Sequence, residues 1–210
     1  MPPVQPMRPA QTDAPGVRPG DESPEPQTEG AAPERETDVI YLAAGCFWGV
    51  EEIMWERPDV LSTAVGYMGG TADRPTYEQV CTGTTGHTET VRVEYDPEVT
   101  DVADILQEFW ESHDPTTVDR QGNDIGSQYR SAVFVTNDIQ LNEALATREI
   151  YQDALNTAGL GEIVTEILPA NEAGPFYFAE DYHQQYLQKN PNGYRCHAKT
   201  GVPFPDLNDK

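Results

Sequence analysis

Lysine is almost missing from this chain of 210 residues: Lys189, Lys199 and Lys210 are its three, beside ten Arg and 36 acidic side chains, and the formal net charge is −23. Without clustered cations a surface cannot neutralise phosphates, which excludes nucleic acid and anionic membranes as partners. Residues 1–38 hold eight acidic and three basic side chains, leaving 28 and ten, net −18, from Val39 onward, so the acidity belongs to the body of the protein. Such a surface repels itself in dilute salt, where the screening length grows to about 30 Å at 0.01 M. The expectation is a halophilic protein whose thermal midpoint rises between dilute buffer and molar KCl; a midpoint that stayed level would leave it an ordinary acidic protein.

Long hydrophobic runs are also missing. Nothing approaches the roughly 18 consecutive apolar residues of a membrane span, and the first 30 residues contain no apolar core like that of a secretory signal, so a soluble, cytoplasmic protein is expected. Cysteine is scarce: Cys46, Cys81 and Cys196 are too few and too scattered for a disulfide framework, and no Cys-x-x-Cys pair suggests zinc or a thioredoxin-like motif. Any disulfide here belongs to transient chemistry, and neither a metal nor an organic cofactor is expected.

Aromatic residues are absent from residues 1–37, which carry nine of the 18 prolines. A segment so poor in apolar surface cannot offset the entropy of ordering, and it reads as a disordered Pro/Glu-rich extension. The remainder suits one catalytic domain over residues 38–200, followed by a tail over residues 201–210.

Within that domain Val39 to Leu42 is a β-branched and aromatic run suited to a buried strand, broken by Gly45. Phe47, Val50, Ile53 and Met54 then recur at helical spacing, so a helix begins near Cys46. Further strands are expected over Leu61 to Tyr67, Thr90 to Tyr95, Ser131 to Val135 and, last, Ile163 to Leu168; helices over Val102 to Phe109 and Ile139 to Leu155. The alternation favours an α+β protein, a two-layer sandwich with a ferredoxin-like, split βαβ core.

The most informative segment is Ala44-Gly45-Cys46-Phe47-Trp48-Gly49, at the junction of strand and helix. A Cys in the first turn of a helix feels unpaired backbone N–H groups and the positive end of the dipole, both of which favour thiolate. Flanking glycines admit a substrate closely, and the neighbouring aromatics can wall an apolar pocket. A plain core cysteine beside core aromatics satisfies the same pattern.

Five blocks together are more specific: the GCFWG segment; Gly66-Tyr67-Met68-Gly69-Gly70; Gly86-His87-Thr88-Glu89-Thr90-Val91; Gly122 to Ser131 (GNDIGSQYRS); and Ala179 to Tyr186 (AEDYHQQY). In content and order they resemble the signature blocks of the A-type peptide-methionine sulfoxide reductases, over roughly residues 40–200. The resemblance implies reduction of methionine S-sulfoxide, protein-bound or free, and the same α+β sandwich. It implies Cys46 as nucleophile, Phe47 and Trp48 as the pocket for the substrate methyl group, and Glu89 as the acid that protonates the sulfoxide oxygen. Tyr67 and Tyr129 would hydrogen-bond that oxygen, and Asp124 would help order the site. The chemistry suits those residue types, because sulfoxide sulfur is a poor electrophile until its oxygen receives a proton.

Oxygen transfer leaves a sulfenic acid, which a second thiol converts to a disulfide. Cys196, in the Gly and Pro-rich segment Asn190 to His197, is the expected resolving thiol, and thioredoxin or a similar dithiol the expected reductant. Only Cys196 follows the catalytic blocks, a departure from family members with two recycling cysteines, so a second, terminal disulfide relay is not expected. Cys81 reads as structural, and His87, His113 and His183 as hydrogen-bonding scaffold. Two other classes stay open at this point: a Cys-His hydrolase working through His87 or His183, and a non-catalytic domain that binds methionine peptides.

Overall fold

The computed structural model describes residues 36–196 and 198–206. The extension expected over residues 1–37 lies outside them but for its last two residues. The elements in chain order are β1 (Asp38–Ala44), α1 (Phe47–Trp55), β2 (Val60–Met68), α2 (Tyr77–Cys81), β3 (Thr88–Tyr95), α3 (Val102–Ser112), β4 (Arg120–Gln121), β5 (Asp124–Ile125), a 3-10 turn (Ser127–Tyr129), β6 (Ser131–Val135), α4 (Asp138–Thr157), β7 (Glu166–Pro169), α5 (Ala170–Ala173), β8 (Tyr177–Phe178) and α6 (Tyr186–Lys189). The protein is α+β. Six strands form one sheet in the order β7-β6-β1-β3-β2-β8, while β4 and β5 make a separate hairpin. All neighbours in the sheet are antiparallel except β6 and β7.

The two-residue period of the strands sorts side chains between two cores. From β1, Ile40, Leu42 and Ala44 enter the larger cluster with Phe47, Val50 and Met54 of α1 and Ile105, Leu106 and Phe109 of α3. Tyr41 and Ala43 point the other way, to a smaller cluster with Met68, Ala132, Phe134 and Ala173. Helix α3 presents Val102, Ile105, Leu106, Phe109 and Trp110 as one apolar stripe, and the Trp110 indole donates to Thr147 Oγ1 on α4 at 3.0 Å. Side-chain caps start both helices: Asp101 accepts from the Ala103 amide and Asn137 from the Gln140 amide.

The last expected strand starts later than its apolar pattern suggests. The Ile163 amide donates to Gln152 Oε1 at 2.7 Å and the Val164 amide to the Pro115 carbonyl at 2.9 Å, so both are diverted before pairing with β6 begins at Glu166. Nor is it the last strand, since β8 follows and pairs with β2. The stretch read as a tail from residue 201 supplies Val202 and the buried Phe204 to the larger core, with Phe204 stacked on Tyr151. Among the described residues no helix is long and apolar enough to cross a membrane.

Candidate active site

The turn from β1 into α1 is built for close packing. Gly45 has φ +99, and a Cβ there would stand 2.8 Å from Cγ of Gln121. Gln121 cannot retreat, because its side chain donates to the Asp114 carbonyl at 2.8 Å and accepts from the Asp114 amide at 3.0 Å. The β4–β5 hairpin is thereby fixed against the turn, which leaves Cys46 as the N-cap of α1 and 7% exposed.

Cys46 makes no side-chain capping bond. Its neighbour's amide, Phe47 N–H, instead donates to Glu89 Oε2 at 3.0 Å, so a carboxyl group from β3 occupies one of the orphan donors at the helix start. Glu89 is 1% exposed, and burial, reinforced by Asp124, drives its carboxyl up to about 8. Burial thus favours its neutral acid form at pH 7.

One expectation is corrected here. The amides of Trp48 and Gly49 do lower the pKa of Cys46, as a helix start should, but burial outweighs them and raises it well above the ordinary thiol value, and Glu89 adds to the rise once it ionises. The resting side chain is a thiol, because desolvation of the buried sulfur exceeds what two amide dipoles return.

Register places Tyr67 of β2 directly across from Glu89 of β3, on one face of the sheet. Tyr67 is fully buried, and its hydroxyl donates to Glu180 Oε2 at 2.9 Å. Tyr129 arrives from the 3-10 turn, which is anchored where Thr88 Oγ1 donates to the Gln128 and Arg130 carbonyls at 3.0 and 3.2 Å. Burial, then Glu89, Asp124, Cys81 and Cys46, raise the pKa of the Tyr129 hydroxyl, so it belongs to the same group. Asp124, on β5, accepts from the Tyr194 hydroxyl at 3.0 Å. Cys196 reaches the hairpin too, with Sγ 3.4 Å from the Gln121 carbonyl oxygen. All three cysteines are free.

The aromatic wall is larger than the sequence suggested. Phe47 packs at 5.9 Å from Tyr67 and 5.2 Å from His183, and Trp48 stacks on Tyr186 at 4.0 Å. The Trp48 indole donates to His183 Nδ1 at 3.1 Å, and Tyr77 and Tyr182 flank the same imidazole at 4.4 and 4.1 Å. His183 thus has the scaffold role expected of it, as has His113, which joins the Phe109 carbonyl and Ser131 Oγ. His87 differs: its buried Nδ1 has no partner among the described residues.

Glu180 was missed. It accepts from the Tyr67 hydroxyl and, at 3.0 Å, from the Tyr77 amide, and its segment is stitched down by Gln184, which exchanges bonds with both backbone groups of Val65, and by Glu51, which accepts from Gln185. It lies within the Ala179 to Tyr186 block, but partners 113 and 103 residues away leave no local sequence signal. Cys81 also lies nearer the site than a structural reading implies: it is exposed at the end of α2, hydrogen-bonded to Tyr77 and within the field of Glu89.

The groups that act most strongly on Cys46 are Glu89, Asp124 and two amides, with no histidine among them. Among the described residues no three His, Cys, Asp or Glu side chains are grouped as a metal site requires.

Similarity to known proteins agrees with this geometry. Residues 38–207 match the family model described as peptide methionine sulfoxide reductase. A peptide methionine sulfoxide reductase, MsrA 1 of Caulobacter vibrioides, is 56% identical over 168 residues, 80% of this chain and 76% of that protein. The methionine sulfoxide reductase A of Corynebacterium diphtheriae superposes with a TM-score of 0.73 at 47% identity, covering 81% of this chain and 84% of that one. Mxr1 of Saccharomyces cerevisiae in reduced form gives 0.70 at 34%, covering 84% and 97%. A buried thiol at a helix start, a neutral carboxylic acid beside it and an aromatic wall thus occur on a chain that belongs to the peptide methionine sulfoxide reductase family.

Proposed function

We propose that this protein reduces the S epimer of methionine sulfoxide, free or in oxidised proteins, through a Cys46 sulfenic acid that Cys196 resolves and thioredoxin or a similar dithiol regenerates. The observation that carries the reading is the buried carboxyl of Glu89, held by the Phe47 amide at the helix start beside the buried Cys46 thiol. As the sulfur of Cys46 attacks, Glu89 gives its proton to the sulfoxide oxygen and takes the one the thiol releases. The oxygen, now hydroxyl, passes to Cys46 as the substrate S–O bond and the transient bond between the two sulfurs break, so methionine leaves and Cys46 carries S–OH. Phe47 and Trp48 take the methyl group, Tyr129 steadies the oxygen, Tyr67 joins it when its hydroxyl turns from Glu180 to the substrate, and Asp124 helps order the site. Glu180 fixes Tyr67, and His183 fixes Trp48.

Two finer readings accompany it. Strand order β6-β1-β3-β2 with antiparallel neighbours, and α1 and α3 as crossovers, supports a ferredoxin-like, split βαβ core. A cycle through free thiols supports a cytoplasmic placement, and the acidic surface a salt-rich one.

The test is dithiothreitol-dependent conversion of each resolved epimer of N-acetyl methionine sulfoxide, in low and molar salt. Only the S epimer should disappear; folded protein that converts neither at any salt would reject the proposal. With thioredoxin as reductant, Cys196→Ser should release one equivalent of methionine per enzyme and then stop. Continued turnover in that variant would remove Cys196 from the resolving role.

A further inference from the structure

Three consecutive side chains leave the segment after α6 for three different elements. The Tyr194 hydroxyl donates to Asp124 on β5. Arg195 grips Glu52 of α1 with a two-toothed fork, Nε to Oε2 at 2.6 Å and Nη2 to Oε1 at 2.7 Å. Cys196 then meets the Gln121 carbonyl of β4, and its backbone N and O pass over Gly49, 3.9 and 3.7 Å from where a Cβ on that glycine would stand. Arg195 also braces its own loop, with Nη1 donating to the Pro191 carbonyl at 2.8 Å.

An ion pair whose side chains are 28% and 19% exposed adds little to folding stability. Its consequence is geometric, because a planar guanidinium bonded to both carboxylate oxygens fixes direction as well as distance. We propose that the Arg195–Glu52 fork is the positioning element of the resolving step, holding Cys196 against the helix that begins at Cys46 before oxidation occurs. The inference rests on the reductase reading above. In that step the Cys46–Cys196 bond forms, the S–O bond of the sulfenic acid breaks, and the Cys196 proton leaves with the hydroxyl as water. Burial, then Asp124, holds the Cys196 thiol up at about 11, so its thiolate is scarce and attack gains from being intramolecular and pre-aligned.

The experiment uses the reduced full chain with N-acetyl methionine S-sulfoxide, quenched by alkylation, with a 1,3-diketone to trap sulfenic acid. Glu52→Gln and Arg195→Gln should form the first methionine at the parent rate, yet form the disulfide about tenfold more slowly and accumulate trapped Cys46. The exchanged pair, Glu52→Arg with Arg195→Glu, should recover most of that loss. Parent-like disulfide formation in the single variants would overturn the proposal, as would equal slowing of methionine formation, the mark of a merely structural contact. Absence of methionine from the unaltered chain would instead bring down the reductase reading beneath it.

Discussion

Cys46→Ser is expected to lower S-sulfoxide reduction by at least about 10⁴-fold while leaving the thermal midpoint near that of the parent. Serine differs from cysteine by one atom at a position 7% exposed, and its oxygen can accept from the same Trp48 and Gly49 amides, so the fold has little to lose. The chemistry loses everything, because only sulfur can accept the substrate's oxygen and be reduced again by a thiol. The resting thiol adds a second expectation. Since burial holds Cys46 in its neutral form against the pull of two helix amides, a charged alkylating reagent should modify it slowly at pH 7 in the free protein. Methionine release and alkylation followed by mass spectrometry measure both. Turnover above about one hundredth of the parent in Cys46→Ser would transfer the reaction to Cys81, which lies within the field of Glu89, or to Cys196.

The sequence carried the long elements because their periodicity is local: β1, α1, β6 and α4 each occupy the apolar pattern that announces them. Hairpin β4–β5 and strand β8, two residues each, are too short for any period to show. They nevertheless place Asp124 and close the edge beside Tyr67. The candidate residues were legible as a family pattern and not as geometry. Tyr67 was expected to hydrogen-bond the substrate oxygen, and its hydroxyl donates here to Glu180, a pairing across 113 residues. The thiolate expected of Cys46 failed for a similar reason: position in a helix can be read from sequence, whereas burial and a carboxyl arriving from β3 depend on tertiary packing. Arg195 gave no sign of its role, since its partner Glu52 lies 143 residues away.

Glu89→Gln should lower the first-turnover rate by about 10²- to 10⁴-fold, the range over which a positioned general acid contributes. The amide keeps an oxygen to accept the Phe47 N–H bond but has no proton acidic enough to give the sulfoxide. In the parent, that proton is present below about 8, so the first-turnover rate should fall as pH rises through that value, and the variant should lack the fall. Stability runs the opposite way between the two proteins. A carboxyl raised from 4.5 to about 8 by folding costs the native state nothing while both folded and unfolded forms are protonated. As pH climbs from the lower value to the higher, the unfolded chain ionises and the buried group cannot, so stability is lost across that window and levels off above it. Glutamine carries no such penalty, so the thermal midpoint of Glu89→Gln should exceed that of the parent by a margin that widens from pH 5 to pH 8. A variant with near-parent rates and a parent-like stability profile would mean that Glu89 is ionised in the native protein, and the acid for the sulfoxide oxygen would have to be sought at Tyr67 or Tyr129. Slow chemistry in a variant stabilised at alkaline pH would tie both effects to one buried proton.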